Sequence, residues 1–122
     1  MSKKIMVVDD SRIAQMQLQK ALSNSEYEVI ACCENGEDAV AQYNILKPDL
    51  VTMDILMPGI DGLETTRRIL EADPNAKVLM VSSLAYEDTV EEAKNIGANG
   101  FIYKPFEREK ILKSLDDIFE KE

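Results

Sequence analysis

The sequence predicts an α/β domain whose parallel five-stranded sheet is covered by helices on both faces. Three observations carry this. Five short runs rich in Val, Ile and Leu alternate strictly with five amphipathic stretches over 122 residues, a pattern that selects right-handed crossovers and parallel strands. The apolar runs show no clean polar–apolar alternation, as expected of strands buried on both sides. Polar residues gather where these runs end, and ligands of such sheets sit beyond the carboxyl ends of the strands.

The first strand reads as Lys4–Val8 and is ended by Asp9 and Asp10. A helix over about Ser11–Ser23 follows. Ala14, Leu18, Ala21 and Leu22 form its core stripe at ~100° per residue, and Ile13 and Met16 fall off that stripe. The second strand is Glu28–Cys33. Asn35 is placed to cap the second helix, Gly36–Leu46. Pro48-Asp49 turns the chain into the third strand, Leu50–Asp54. Asp61, with Glu64 three residues on, resembles a capping box at the start of the third helix, Gly62–Ala72. Asp73-Pro74-Asn75 makes the next turn, before the fourth strand, Val78–Ser82. The fourth helix covers Glu87–Ile96 and ends at Gly97, the residue type preferred in a left-handed cap. The fifth strand, Gly100–Tyr103, leads through Lys104 to a last helix over Glu107–Glu120.

Composition excludes several classes of function. With 14 basic and 23 acidic residues the net charge is −9, and the basic footprint of a nucleic-acid binder is missing. No apolar run approaches a membrane span, and the four apolar residues after Lys3-Lys4 are too few for a signal peptide. Cys32 and Cys33 are adjacent, point to opposite faces of a strand, and read as reduced thiols of a cytoplasmic protein. The absence of histidine removes Ser-His and Cys-His nucleophiles and imidazole metal sites. A metal here would be held by oxygen, which points to magnesium or manganese.

If the strands are parallel, Asp9, Asp10, Asp54, Ser82 and Lys104 meet at one edge of the sheet. Singly, each has an ordinary reading. An Asp at a strand end commonly caps a turn or helix, Ser82 beside Ser83 reads as a turn residue, and a lysine is usually solvated. Together, three carboxylates and an ammonium make a site for a divalent cation and a phosphoryl group.

These fragments resemble the response-regulator receiver family, the CheY-like phosphoacceptors of two-component signalling. The matching pieces run in order: Val7-Val8-Asp9-Asp10-Ser11, Pro48-Asp49-Leu50-Val51-Thr52-Met53-Asp54, Met57-Pro58-Gly59-Ile60-Asp61-Gly62, Val81-Ser82-Ser83, Gly97-Ala98 and Lys104-Pro105-Phe106. The resemblance implies a flavodoxin-like strand order of 2-1-3-4-5 and one receiver domain over residues 1–122 without an output domain. It implies Asp54 as phosphoacceptor, with Asp9, Asp10, Asp54 and the Leu56 backbone carbonyl as ligands of Mg2+ (or Mn2+). Ser82 takes the position of the switch hydroxyl and Phe101 that of the switch aromatic. Tyr103 shares the face of Phe101 on the strand. Lys104 pairs with the acids and the phosphoryl oxygens, and the Lys104–Pro105 bond resembles the family's cis peptide.

The expected function is a phosphorylation switch and not an enzyme acting on a separate substrate. A histidine kinase, a histidine phosphotransfer protein or a small acyl phosphate supplies the phosphoryl group. The surface of the fourth helix, fifth strand and fifth helix then shifts to bind a target protein, of chemotaxis type by resemblance. The chain itself is a monomer or a phosphorylation-dependent dimer. Leu56 and Leu84 stand where the family tunes hydrolysis; neither side chain orients a water, which predicts slow self-dephosphorylation. Ile13 and Met16 read either as ordinary scattered surface apolar residues or as a docking patch for a helical histidine-containing partner. A haloacid-dehalogenase-type phosphatase also uses a strand-end Asp, but wants a second Asp where Leu56 stands. A receiver-fold module that signals without phosphate would be marked by lost acids or lysine, and a receiver excised from a longer regulator would show this same sequence.

Overall fold

The computed structural model describes residues 2–83 and 87–120. In chain order the elements are β1 (Lys3–Val8), α1 (Arg12–Leu22), β2 (Tyr27–Cys33), α2 (Gly36–Leu46), β3 (Leu50–Met53), α3 (Gly62–Ala72), β4 (Val78–Ser82), α4 (Glu87–Ile96), β5 (Gly100–Tyr103) and α5 (Arg108–Glu120). All neighbouring strands pair in parallel, in the order β2-β1-β3-β4-β5.

Each face of the sheet has its own core. Met6, Val8, Val51, Met53, Val78 and Met80 pack with Ala39, Tyr43, Leu63, Ile69 and Ala93 from α2, α3 and α4. Ile5, Val7, Leu50, Leu79, Val81 and Ile102 pack with Leu18 and Leu22 of α1 and with Ile111, Leu115 and Ile118 of α5. The strand residues alternate between the two cores, as the two-residue period of a strand requires. Being apolar on both sides, they appear in the sequence as unbroken hydrophobic runs. Cys33 joins the first core and Cys32 packs against the second, so the adjacent thiols do point apart.

Several ends differ from the sequence expectation. Ser11 is the N-cap of α1, its Oγ accepting from the Ala14 N–H at 3.2 Å; neither aspartate before it caps the helix. Ala14, expected on the core stripe, is only half-buried, and the buried residues of α1 are Leu18, Ala21 and Leu22. Asn35 and Asp61 cap α2 and α3 through the N–H groups of Asp38 and Glu64. The Glu64 carboxylate pairs with Arg67 and Arg68, so α3 has the cap without the returning half of a capping box. The third strand ends at Met53, one residue early. Asp54 still donates its N–H to the Val8 carbonyl at 2.9 Å, but its own carbonyl turns toward α3. Gly97 has φ +119° and closes α4 with its N–H on Ala93 and Lys94.

Because β1 continues through α1 on one face and β2 through α2 on the other, the direction in which strands are added to the sheet reverses between β1 and β3. Their carboxyl ends therefore border a crevice.

Candidate functional site at the carboxyl edge of the sheet

Backbone hydrogen bonds continue the ladders just past the strand ends and fix the functional side chains. Asp9 donates to the Cys33 carbonyl at 3.0 Å, Asp54 to Val8 at 2.9 Å and Lys104 to Ser82 at 3.0 Å. Asp9, Asp54 and Lys104 are thus anchored through their own backbone to the neighbouring strand.

Asp9 is buried. Its Oδ1 accepts from the Ser11 N–H at 2.9 Å and its Oδ2 from Lys104 Nζ at 2.6 Å. Asp54 is 8% exposed; its Oδ1 accepts from the Ile55 N–H at 2.9 Å, and its Oδ2 lies 3.6 Å from Lys104 Nζ. Asp10 is exposed, yet one carboxylate oxygen from each of Asp9, Asp10 and Asp54 lies within 4.8 Å of the others. Burial pushes the Asp54 carboxyl above the usual carboxylate range. Asp9 adds to the rise, and Lys104 and the Ile55 N–H only partly oppose it. One ammonium thus leaves this cluster under-neutralised. The donors are all carboxylate oxygens, the set that suits a hard divalent cation such as magnesium.

Ser82 is buried at the end of β4, beside Lys104 through the backbone bond above. The Lys104–Pro105 peptide is cis. Phe101 is half-buried and packs on the α2–α4 side of the sheet. Its ring centroid lies 5.3 Å from that of Tyr103, which is itself 45% exposed. The side chains of Leu56, Ile13 and Met16 are exposed at 59%, 69% and 64%. Leu84 lies outside the described residues.

The sequence marks no role for Gly62 at the site. Gly62 reads as the residue after a cap, but its role is close approach. Its N–H donates to the Ile55 carbonyl at 2.8 Å, and a Cβ there would fall 1.9 Å from the carbonyl oxygen of Asp54. Only glycine lets the start of α3 lie against the backbone of this acid.

The family model for the response regulator receiver domain matches residues 5–116. The chain belongs to the response-regulator receiver family. Among relatives of this receiver domain, the chemotaxis protein CheY of Listeria monocytogenes is 41% identical over 113 residues, covering 93% of this chain and 95% of the relative. The chemotaxis protein CheY of Thermotoga maritima is 38% identical over 118 residues, covering 97% and 98%. CheY in the CheX–CheY–BeF3–Mg2+ complex from Borrelia burgdorferi superposes with a TM-score of 0.93 at 35% identity, covering 96% of this chain and 89% of that one. The receiver is therefore CheY-like and belongs to phosphorylation-based signalling. Receiver domains bind Mg2+ at an aspartate cluster, and Asp9, Asp10 and Asp54 form such a group here. Among the described residues no helix is long and apolar enough to cross a membrane.

Proposed function

We propose that Asp54 is the phosphoacceptor of a two-component switch, loaded by a histidine kinase, a histidine phosphotransfer protein or a small acyl phosphate. The observation that carries this reading is the buried Asp54 carboxylate, raised in proton affinity and set between Asp9 and Lys104.

A carboxylate oxygen of Asp54 attacks phosphorus as the bond to the donor breaks, and the bonding pair leaves with the donor's nitrogen or oxygen. The product is an acyl phosphate. Asp9, Asp10, Asp54 and the Leu56 carbonyl would hold magnesium, which when bound supplies charge neutralisation to the acids and to the transferred group. Lys104 holds the phosphoryl oxygens by charge-assisted hydrogen bonds. The chain assists its own phosphorylation and dephosphorylation and turns over no separate substrate. Leu56 offers no group to orient a water, so the phosphorylated form is long-lived.

The new charge at Asp54 attracts the Ser82 hydroxyl, and Phe101 follows into the space that Ser82 leaves. This biases the α4-β5-α5 surface toward a conformation that binds a target protein, of chemotaxis type.

Incubation with magnesium and a small acyl phosphate, read by intact mass, tests this reading. One phosphoryl group is expected on the wild type and none on Asp54→Asn. Equal labelling of both would remove Asp54 from the role.

A further inference from the structure

We infer that Gln15 is a positioning residue for the metal-binding acids, holding the peptide that joins Asp9 to Asp10; this rests on the reading of those acids as magnesium ligands. The Gln15 Nε2 donates to the Asp9 carbonyl at 2.7 Å. A carbonyl oxygen only accepts, so the amide nitrogen is the atom that faces it.

That carbonyl belongs to the planar peptide unit between the two acids. Fixing its oxygen fixes the plane, and with it the direction in which Asp10 leaves the turn. The two acids differ in how they are held. Asp9 is gripped at both carboxylate oxygens, by Ser11 and Lys104. The Asp10 carboxylate makes no hydrogen bond or ion pair with another described residue, so its aim depends on its backbone. Gln15 is well placed to set it. It is half-buried in the first turn of α1, and its own N–H bonds the Ser11 carbonyl at 3.0 Å. The donor therefore stands on a capped helix and not on a mobile loop.

Partners that orient metal ligands commonly change metal affinity by about 10–100-fold when removed. Gln15 acts on one exposed acid through its backbone, so the low end applies, a loss of about tenfold. The experiment is calorimetric titration of Mg2+ into the phosphate-free wild type, Gln15→Met, Gln15→Ala and Gln19→Met. Methionine keeps the length and helix preference of glutamine but has no donor. Gln19 is the control, one turn on, where the amide lost is bonded to Cys32 Sγ at 3.4 Å. Both Gln15 variants are expected to weaken Mg2+ binding alike with unchanged thermal midpoints, while Gln19→Met binds as the wild type does. The Asp10 amide resonance should move in Gln15→Met before any metal is added. Wild-type affinity in Gln15→Met overturns the inference and leaves the magnesium reading intact. So does a loss shared by Gln19→Met, or one confined to Gln15→Ala. A wild type that binds no Mg2+ overturns both.

Discussion

Replacing Thr52 by Val should stabilise the protein. Thr52 is 1% exposed, and its hydroxyl is buried without a hydrogen-bond partner among the described residues. Its lateral neighbours on the sheet are Val7 and Leu79, both in the core under α1 and α5. A buried hydroxyl left unpaired costs about 1–3 kcal/mol, and valine places a methyl group in the same volume. Both residues favour strands, so backbone preference changes little. A gain of about 1.5 kcal/mol is expected. With ~2.1 cal/mol/K of unfolding entropy per residue over 122 residues, the total is about 0.26 kcal/mol/K, and the midpoint should rise by about 6 °C. Thermal and urea unfolding of the metal-free protein, followed by circular dichroism, would measure it. A midpoint equal to or below that of the wild type would refute the reasoning, because it would mean that the hydroxyl has a partner such as a buried water. Acyl-phosphate labelling of Asp54 should be unaffected, since the change lies inside the core.

Asp54→Asn should stabilise the metal-free protein at neutral pH. The folded-state carboxyl is raised, chiefly by burial and then by Asp9, so ionised Asp54 opposes folding. That penalty is absent below the unfolded carboxylate range and complete above the raised folded value. The lead of Asn over Asp should therefore shrink as the pH falls through that window, in unfolding curves recorded at each pH. Leu56→Asn should shorten the lifetime of the phosphorylated form severalfold by giving an attacking water a polar partner, read by the decay of the phosphorylated mass. Gly62→Ala should cost at least about 1–3 kcal/mol and slow phosphorylation more than Gly36→Ala does. The Cβ at Gly62 meets Asp54 backbone, whereas that at Gly36 meets the side chains of Thr65 and Ile60. Ser82→Ala should leave labelling intact yet weaken the spectral change in α4 and β5 that follows it.

The ten elements were legible because each follows from a local pattern: strands apolar on both faces, helices with a stripe, and caps at Asn35 and Asp61. What was not legible depends on distant residues. Arg108 Nη1 donates to the Ala21 and Ser23 carbonyls at 2.9 and 2.8 Å, tying the start of α5 to the end of α1 across more than 80 residues. Tyr27 donates to Asp116 in the same way. No periodicity announces such pairs. The end of α2 was half-legible. Pro48 disfavours the helical conformation in the residue before it, and Lys47 answers by adopting φ 45°, ψ 61°. Within the site, the strand-end pattern located Asp9, Asp10, Asp54, Ser82 and Lys104, because parallel strands bring their carboxyl ends together. It did not reveal Gly62 or Gln15. A glycine after a cap and a glutamine on a helix are ordinary in sequence, and only the approach of one backbone to another makes them particular.

If the proposed function holds, the arrangement gives a physical reason why Asp54, of the three acids, is the nucleophile. Asp9 has both oxygens engaged, one by the Ser11 N–H and the other by Lys104 at 2.6 Å, and each of these donors draws electron density away from the carboxylate. Asp10 is exposed, and water hydrates its carboxylate and blunts its reactivity. Asp54 alone combines burial with an oxygen that is not committed: Oδ1 is held by Ile55, while Oδ2 stands 3.6 Å from Lys104, beyond hydrogen-bond distance. A carboxylate made more basic by burial is also more nucleophilic. Had Lys104 paired more closely with Asp54 than with Asp9, it would have lowered that basicity. The ammonium instead neutralises the neighbouring acid and remains close enough to meet phosphoryl oxygens as they arrive. On the proposed reading, the 1.0 Å difference between the two Lys104 contacts favours Asp54 over Asp9 as the acceptor.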